Sequence, residues 1–203
     1  ANVTTVAEAL EAEAAGADVL VAQGSEAGGH RGSFEASKAE SQAVGLFSLL
    51  PAVVDAVAIP VVATGGIADA RGVAAAMIMG ASAVQIGTGL LRTPEANLVS
   101  AWADAIGSAR PEDTLVTRAF SGRAGRSIRT AYVEAANSLD APTPAPYPIQ
   151  RALTQTMRDE GIKMGDISRI QAWSGQSGHL AKAMPAGDLI RQIWTDAKRI
   201  LSN

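Results

Sequence analysis

Three stretches between Val6 and Ile86 repeat one grammar: a helix, a turn, a short apolar strand, then a loop that carries glycine. The first runs from Val6 to Ala15, is closed by Gly16 and leads to a strand from Asp18 to Ala22. The second takes Leu46 to Val57 into Ile59 to Ala63. The third covers Ala70 to Met79, stops at Gly80 and delivers Ala83 to Ile86. A glycine just past a helical run is a stop signal, because it adopts the left-handed backbone that ends a helix without steric cost. Strands that are apolar on consecutive positions, separated by helices of about 10 to 15 residues, predict βαβ units in a parallel sheet covered on both faces. The predicted fold class is α/β.

In such sheets ligands bind beyond the carboxyl ends of the strands. Here those ends carry Gln23-Gly24-Ser25-Glu26-Ala27-Gly28-Gly29-His30-Arg31-Gly32, then Thr64-Gly65-Gly66-Ile67-Ala68-Asp69, then Gly87-Thr88-Gly89. Glycines let backbone N–H groups converge on an anion or a flat ring, and a histidine among them can exchange protons near neutral pH. The loops therefore predict a cofactor site with a base, His30, beside it. A Walker A loop is excluded, because His30 stands where its lysine would be and Arg31 where its hydroxyl would be.

Composition narrows the ligand. A net charge of −3 gives no electrostatic handle for nucleic acid or a membrane surface, so a small molecule is expected. There is no cysteine, which rules out disulfides and thiolate chemistry and fits a cytoplasmic protein. No apolar run reaches the roughly 18 to 20 residues needed to span a bilayer. No metal site is expected, and His179 has no partner at metal or triad spacing, which predicts a surface or capping role.

The segments AQGSEAGGHRGSF (22–34) and IPVVATGGIADARGVAAAMIMGASAVQIGTGLL (59–91) resemble the nitronate monooxygenase family, formerly the 2-nitropropane dioxygenases. TLVTRAFSGRAGRSIR, APTPAPYPIQ and AWSGQSG extend the resemblance over nearly the whole chain. It implies an FMN enzyme on a TIM (β/α)8 barrel with an added helical segment. By that similarity Gln23, Gly28, Gly66, Gln85, Ile86, Gly87 and Thr88 would contact FMN, and His30 would be the active-site base. Gly29 and Gly65 are added to the cofactor set from backbone geometry. The implied reaction oxidises a nitronate or nitroalkane with O2 to a carbonyl compound and nitrite. An FMN-dependent enoyl-thioester reductase, an NADH:quinone reductase of the same barrel superfamily and a catalytically inactive fragment stay open as alternatives.

Only about three of the eight strands of a TIM barrel are visible, with residues 1–5 as the end of another. The expectation is a C-terminal part of the barrel in residues 1–110 and a mainly helical segment in 111–203. The N-terminal part of the same enzyme is expected on another chain. Of the remaining conspicuous residues, Glu26 reads as a structural acceptor for backbone amides. Arg31 reads as solvated, and Arg118, Arg123, Arg126 and Arg129 read as a solvated helix entry. Trp173 reads as a packing anchor, Gln176 as a residue near the flavin region, and Ala141 to Pro148 as a stiff polyproline II connector.

Overall fold

The computed structural model describes residues 1–202. Strand β1 (Asn2–Val3) leads through helix α1 (Val6–Ala14) to β2 (Leu20–Gln23), with a short β3 (Gly29–His30) beyond it. Helix α2 (Leu46–Ala56), β4 (Val61–Thr64), α3 (Ala70–Ile78) and β5 (Ala83–Gln85) follow. These make a parallel sheet in the order β1-β2-β4-β5. The α/β architecture thus agrees with the sequence pattern, and residues 1–5 do contain the further strand. The sheet is open, with β1 and β5 at its two edges.

Local chemistry explains the boundaries. The Thr5 hydroxyl caps α1 by accepting from Glu8 N at 3.2 Å, and the buried Glu8 carboxylate accepts from Thr4 N at 2.6 Å. Helix α2 has Gly45 at its start and no side-chain cap of its own. The carboxylate of Glu26, from the loop after β2, accepts from Leu46 N at 2.9 and 3.0 Å instead. A negative charge there also opposes the helix dipole. Strands β2 and β4 sit slightly later than their apolar runs suggest, while β5 starts at Ala83 as expected and ends one residue early at Gln85. Pro60 has no N–H to give, so β4 starts at Val61, while Leu20 N donates to Pro60 O at 3.0 Å. Pairing of Gln23 with Thr64 then carries β2 one residue beyond Ala22.

The second half begins with α4 (Ser100–Ser108) and continues through β6 (Thr114–Thr117) and β7 (Gly125–Ile128). Helices α5 (Ala131–Ala136), α6 (Ile149–Leu153), α7 (Gln155–Met164) and α8 (Ala186–Leu201) complete it. Strand β7 pairs antiparallel with both β6 and β3, so a small second sheet grows from the loop that leaves β2. Arg118, Arg123 and Arg126 therefore flank and occupy a strand, and only Arg129, just before the Thr130 cap of α5, stands at a helix entry. Helix α8 returns to the first sheet, where Leu189, Ile193 and Ala197 join Leu20, Leu50, Val53, Val61, Ala63 and Val73 in the main core. A second core gathers Ile106, Ile128, Ile170 and Ala172 under α4. No helix among the described residues is long and apolar enough to cross a membrane.

Leu50 is fully buried on the face of α2 that meets the sheet. Leu50→Ala should destabilise the protein by about 2 to 5 kcal/mol, the usual cost of a large-to-small core change. Denaturant unfolding of the full-length protein would measure it, and a loss well under 1 kcal/mol would mean that this face is not closely packed.

Candidate functional site

Strands β2, β4 and β5 end level, with Gln23, Thr64 and Gln85 opposite one another in the ladder. Thr64 Oγ1 donates to Gln85 O at 2.9 Å and fixes that row. Beyond it lies a cavity of about 210 Å³. Its lining includes Gln23, Gly28, Gly65, Gly66, Gln85, Gly87 and Thr88, so seven of the ten residues expected from sequence meet there. Asn2, Gly175 and Ser177 line it too, and sequence reasoning assigned none of them to the site.

The glycines shape this cavity. Gly65 and Gly66 adopt φ of +109° and +70° in succession, a left-handed pair that side chains disfavour. A Cβ added to Gly87 would meet nothing within 4 Å, so its α-carbon borders open space. The N–H groups of Gly66, Gly87 and Thr88 make no hydrogen bond among the described residues. Donors without partners at the edge of a cavity suit an anion, because leaving them dry and unpaired would cost free energy. The residues present fit the phosphate of a flavin mononucleotide.

Gln23 lines the cavity, and its side chain is engaged, with Nε2 donating to His30 O at 3.0 Å and Oε1 accepting from Gly32 N at 2.8 Å. Three expected residues stand elsewhere. Ile86 lines a separate apolar cavity between α3 and α8 with Val84, Leu90 and Trp194. Gly29, with φ of +78°, and His30 lie just outside the glycine cavity on β3. Gly29 pairs with Arg126, and His30 with Gly125.

His30 is half-buried, its ring edge-on to Trp173 at 5.1 Å and to Tyr147 at 5.9 Å between centroids. Gly125 makes room for this packing, since a Cβ there would meet the Trp173 ring at 2.9 Å. Nε2 of His30 lies 2.7 Å from Ser121 Oγ. That hydroxyl, fully buried, is itself held by donating to Arg123 O at 3.2 Å and accepting from Arg123 N at 3.3 Å. Ser121 is ninety-one positions from His30, and nothing local in the sequence marks the pairing.

Arg129 is exposed, as its solvated reading expects, whereas Arg31, Arg123 and Arg126 depart from theirs. Arg31 is 2% exposed, and its Nη1 donates to Gly24 O at 2.7 Å. Burial, and then Arg126 nearby, lower its pKa, and its Nε has no partner. Arg123 donates from Nη2 to Arg31 O and to Ser33 O, both at 3.0 Å. Arg126 donates to Ser25 O at 3.0 Å. Only Arg118, paired with Glu40 at 2.7 Å, forms the expected kind of carboxylate pair. The Glu26 carboxylate is structural, as expected. His179 lies in a short turn ahead of α8.

Burial lowers the pKa of His30, and the positive charges of Arg123 and Arg151 lower it further. The ring is therefore neutral at pH 7. The unfolded chain binds that proton more tightly, so the stability contribution is whole above about 6.5 and is lost as pH falls toward the folded pKa. In an NMR titration His30 should titrate below 6.5, and the exposed Arg151→Gln should move its midpoint upward. A midpoint at or above 6.5 in the unaltered protein would contradict the desolvated environment described here.

The family model described as nitronate monooxygenase matches residues 1–196. A probable nitronate monooxygenase of Staphylococcus aureus strain Newman is 43% identical over 198 residues, which cover 98% of this chain and 56% of that protein. The chain thus spans a little over half the length of the curated relatives it matches. Among solved structures, a nitroalkane oxidase from Streptomyces ansochromogenes superposes with a TM-score of 0.93 at 37% identity, over 99% of this chain and 57% of that one. FabK from Thermotoga maritima superposes with a TM-score of 0.79 at 32% identity, over 99% of this chain and 61% of that one.

Proposed function

From the premise that the chain belongs to the nitronate monooxygenase family, we propose that it carries the FMN phosphate site and the catalytic histidine of an enzyme that oxidises nitronates or nitroalkanes with O2 to a carbonyl compound and nitrite. The observation that carries this reading is the glycine cavity with its unpaired N–H groups, set beside a desolvated histidine. FMN, when bound, supplies the electron acceptor and the centre at which O2 reacts. On this reading Gly66, Gly87 and Thr88 hold its phosphate through their backbone N–H groups. Gly28, Gly29, Gly65, Gln85 and Ile86 complete the expected cofactor set, and Gln23 acts by tying down the histidine loop.

His30 meets the requirements of a base for a neutral nitroalkane, whose α-carbon proton is acidic. Its ring is neutral at pH 7, and Nε2 is engaged by Ser121, which leaves Nδ1 to take the proton. The Ser121 hydroxyl donates its one hydrogen to Arg123 O and so accepts from Nε2–H, which holds the tautomer whose Nδ1 lone pair is free. A nitronate supplied as such needs no base. There His30 would hold the anionic nitro group, through Nδ1–H once Ser121 turns its one hydrogen from Arg123 O to Nε2.

The open edges of the sheet support a larger assembly. Ala83 and Gln85 of β5 are exposed. We place the remaining strands of an eight-stranded barrel in the N-terminal part of the same enzyme. In that assembly residues 1–110 are barrel and residues 111–203 the part that packs on it.

The test of the reaction is anaerobic reduction of the full-length flavoprotein. A nitronate should bleach the flavin absorbance and NADH should not. Bleaching by NADH alone would favour a reductase. His30→Asn should keep FMN yet slow turnover of neutral nitroalkanes by roughly 10² or more, the usual worth of a positioned base. Steady-state rates on preformed nitronates should fall much less. An equal loss on both forms would make His30 a binding group only.

A further inference from the structure

Three consecutive residues far along the chain each give one hydrogen bond to a different loop around the glycine cavity. Gly175 N donates to Thr88 Oγ1 at 2.9 Å, in the loop after β5. Gln176 N donates to Glu26 O at 3.0 Å, in the loop after β2. Ser177 Oγ donates to Gly66 O at 2.6 Å, in the loop after β4. Gly175 also lies directly on Gly28, where a Cβ added to Gly28 would meet Gly175 N at 2.5 Å.

This tripeptide is itself anchored to the second sheet and core. Trp102 Nε1 donates to Trp173 O at 3.1 Å, and Ser127 forms a bridge with Trp173. Gly178 N closes the turn onto Gly175 O at 3.2 Å. The loops after β2, β4 and β5 pack on one another, Gly65 against Gly24 and Ala27 and Gly89 against Ala68, but among the described residues no hydrogen bond runs directly from one loop to another. Loops that hold an anion through backbone donors must keep those donors at fixed separation. A bond to Gly66 O fixes the peptide plane that follows Gly66, and a bond to Thr88 Oγ1 fixes the start of the turn that carries the Thr88 N–H.

We propose that Gly175-Gln176-Ser177 is a positioning clamp for the cofactor's phosphate, setting the spacing of the Gly66 and Thr88 donors from outside the parallel sheet. The inference rests on the FMN reading of the cavity. Ser177 is the residue to test, because its hydrogen bond to Gly66 is exposed to solvent and contributes little to folding.

The experiment compares FMN with riboflavin, which has the same ring and no phosphate, on full-length apoenzyme by quenching of flavin fluorescence. Ser177→Ala should weaken FMN about tenfold and leave riboflavin binding unchanged. Ser177→Thr, which keeps the hydroxyl, should restore FMN affinity. Equal weakening of both flavins, or no change in either, would overturn the clamp. An unaltered enzyme that binds flavin but does not prefer FMN to riboflavin would instead overturn the phosphate reading, and the clamp with it.

Discussion

Gln23, Thr64 and Gln85 stand side by side across three parallel strands, and the site depends on that register. Because side chains alternate along a strand, a slip of one residue would turn every core side chain of the slipped strand outward. The register is held by what lies behind it. Leu20, Ala22, Val61 and Ala63 are all buried in the core shared with α2, α3 and α8. With the strand ends level, the loops that follow begin at one height and border one cavity.

The loop from Gly24 to Phe34 leaves the first sheet with carbonyls that have no strand to pair with, and buried carbonyls need donors. Arginines supply them. Arg31 serves Gly24 O, Arg123 serves Arg31 O and Ser33 O, and Arg126 serves Ser25 O. Their planar forks can serve two carbonyls at once, which a lysine cannot do in the same geometry. Of these, Arg123 also bears on His30, whose pKa is lowered first by burial and then by Arg123 and Arg151. Loop architecture and the proton affinity of His30 therefore share one side chain, Arg123.

The second sheet has a matching role. Strand β7 receives β3 on one side, Trp173 fills the space that Gly125 leaves, and Ser121 comes from the turn between β6 and β7. The histidine is thus placed by the later half of the chain, although its own loop belongs to the first sheet.

The parallel α/β pattern and the glycine loops that line the cavity are legible in the order of residues alone. Both are written in neighbouring residues: a helix ended by glycine, an apolar run, and glycines where the backbone must take positive φ at Gly65 and Gly66. The sequence also marked Glu26 as structural, since a carboxylate in a glycine loop has backbone amides within reach. Tertiary structure alone decided the partner of His30, the burial of Arg31, the engagement of Gln23 and the approach of Gly175 to Ser177. Each depends on segments tens of residues apart that meet through packing, and the energy that joins them is spread over the core and leaves no local mark. An arginine reads as solvated in a sequence because isolated charge prefers water. It is buried here because the fold leaves carbonyls that only a long, branched donor can reach.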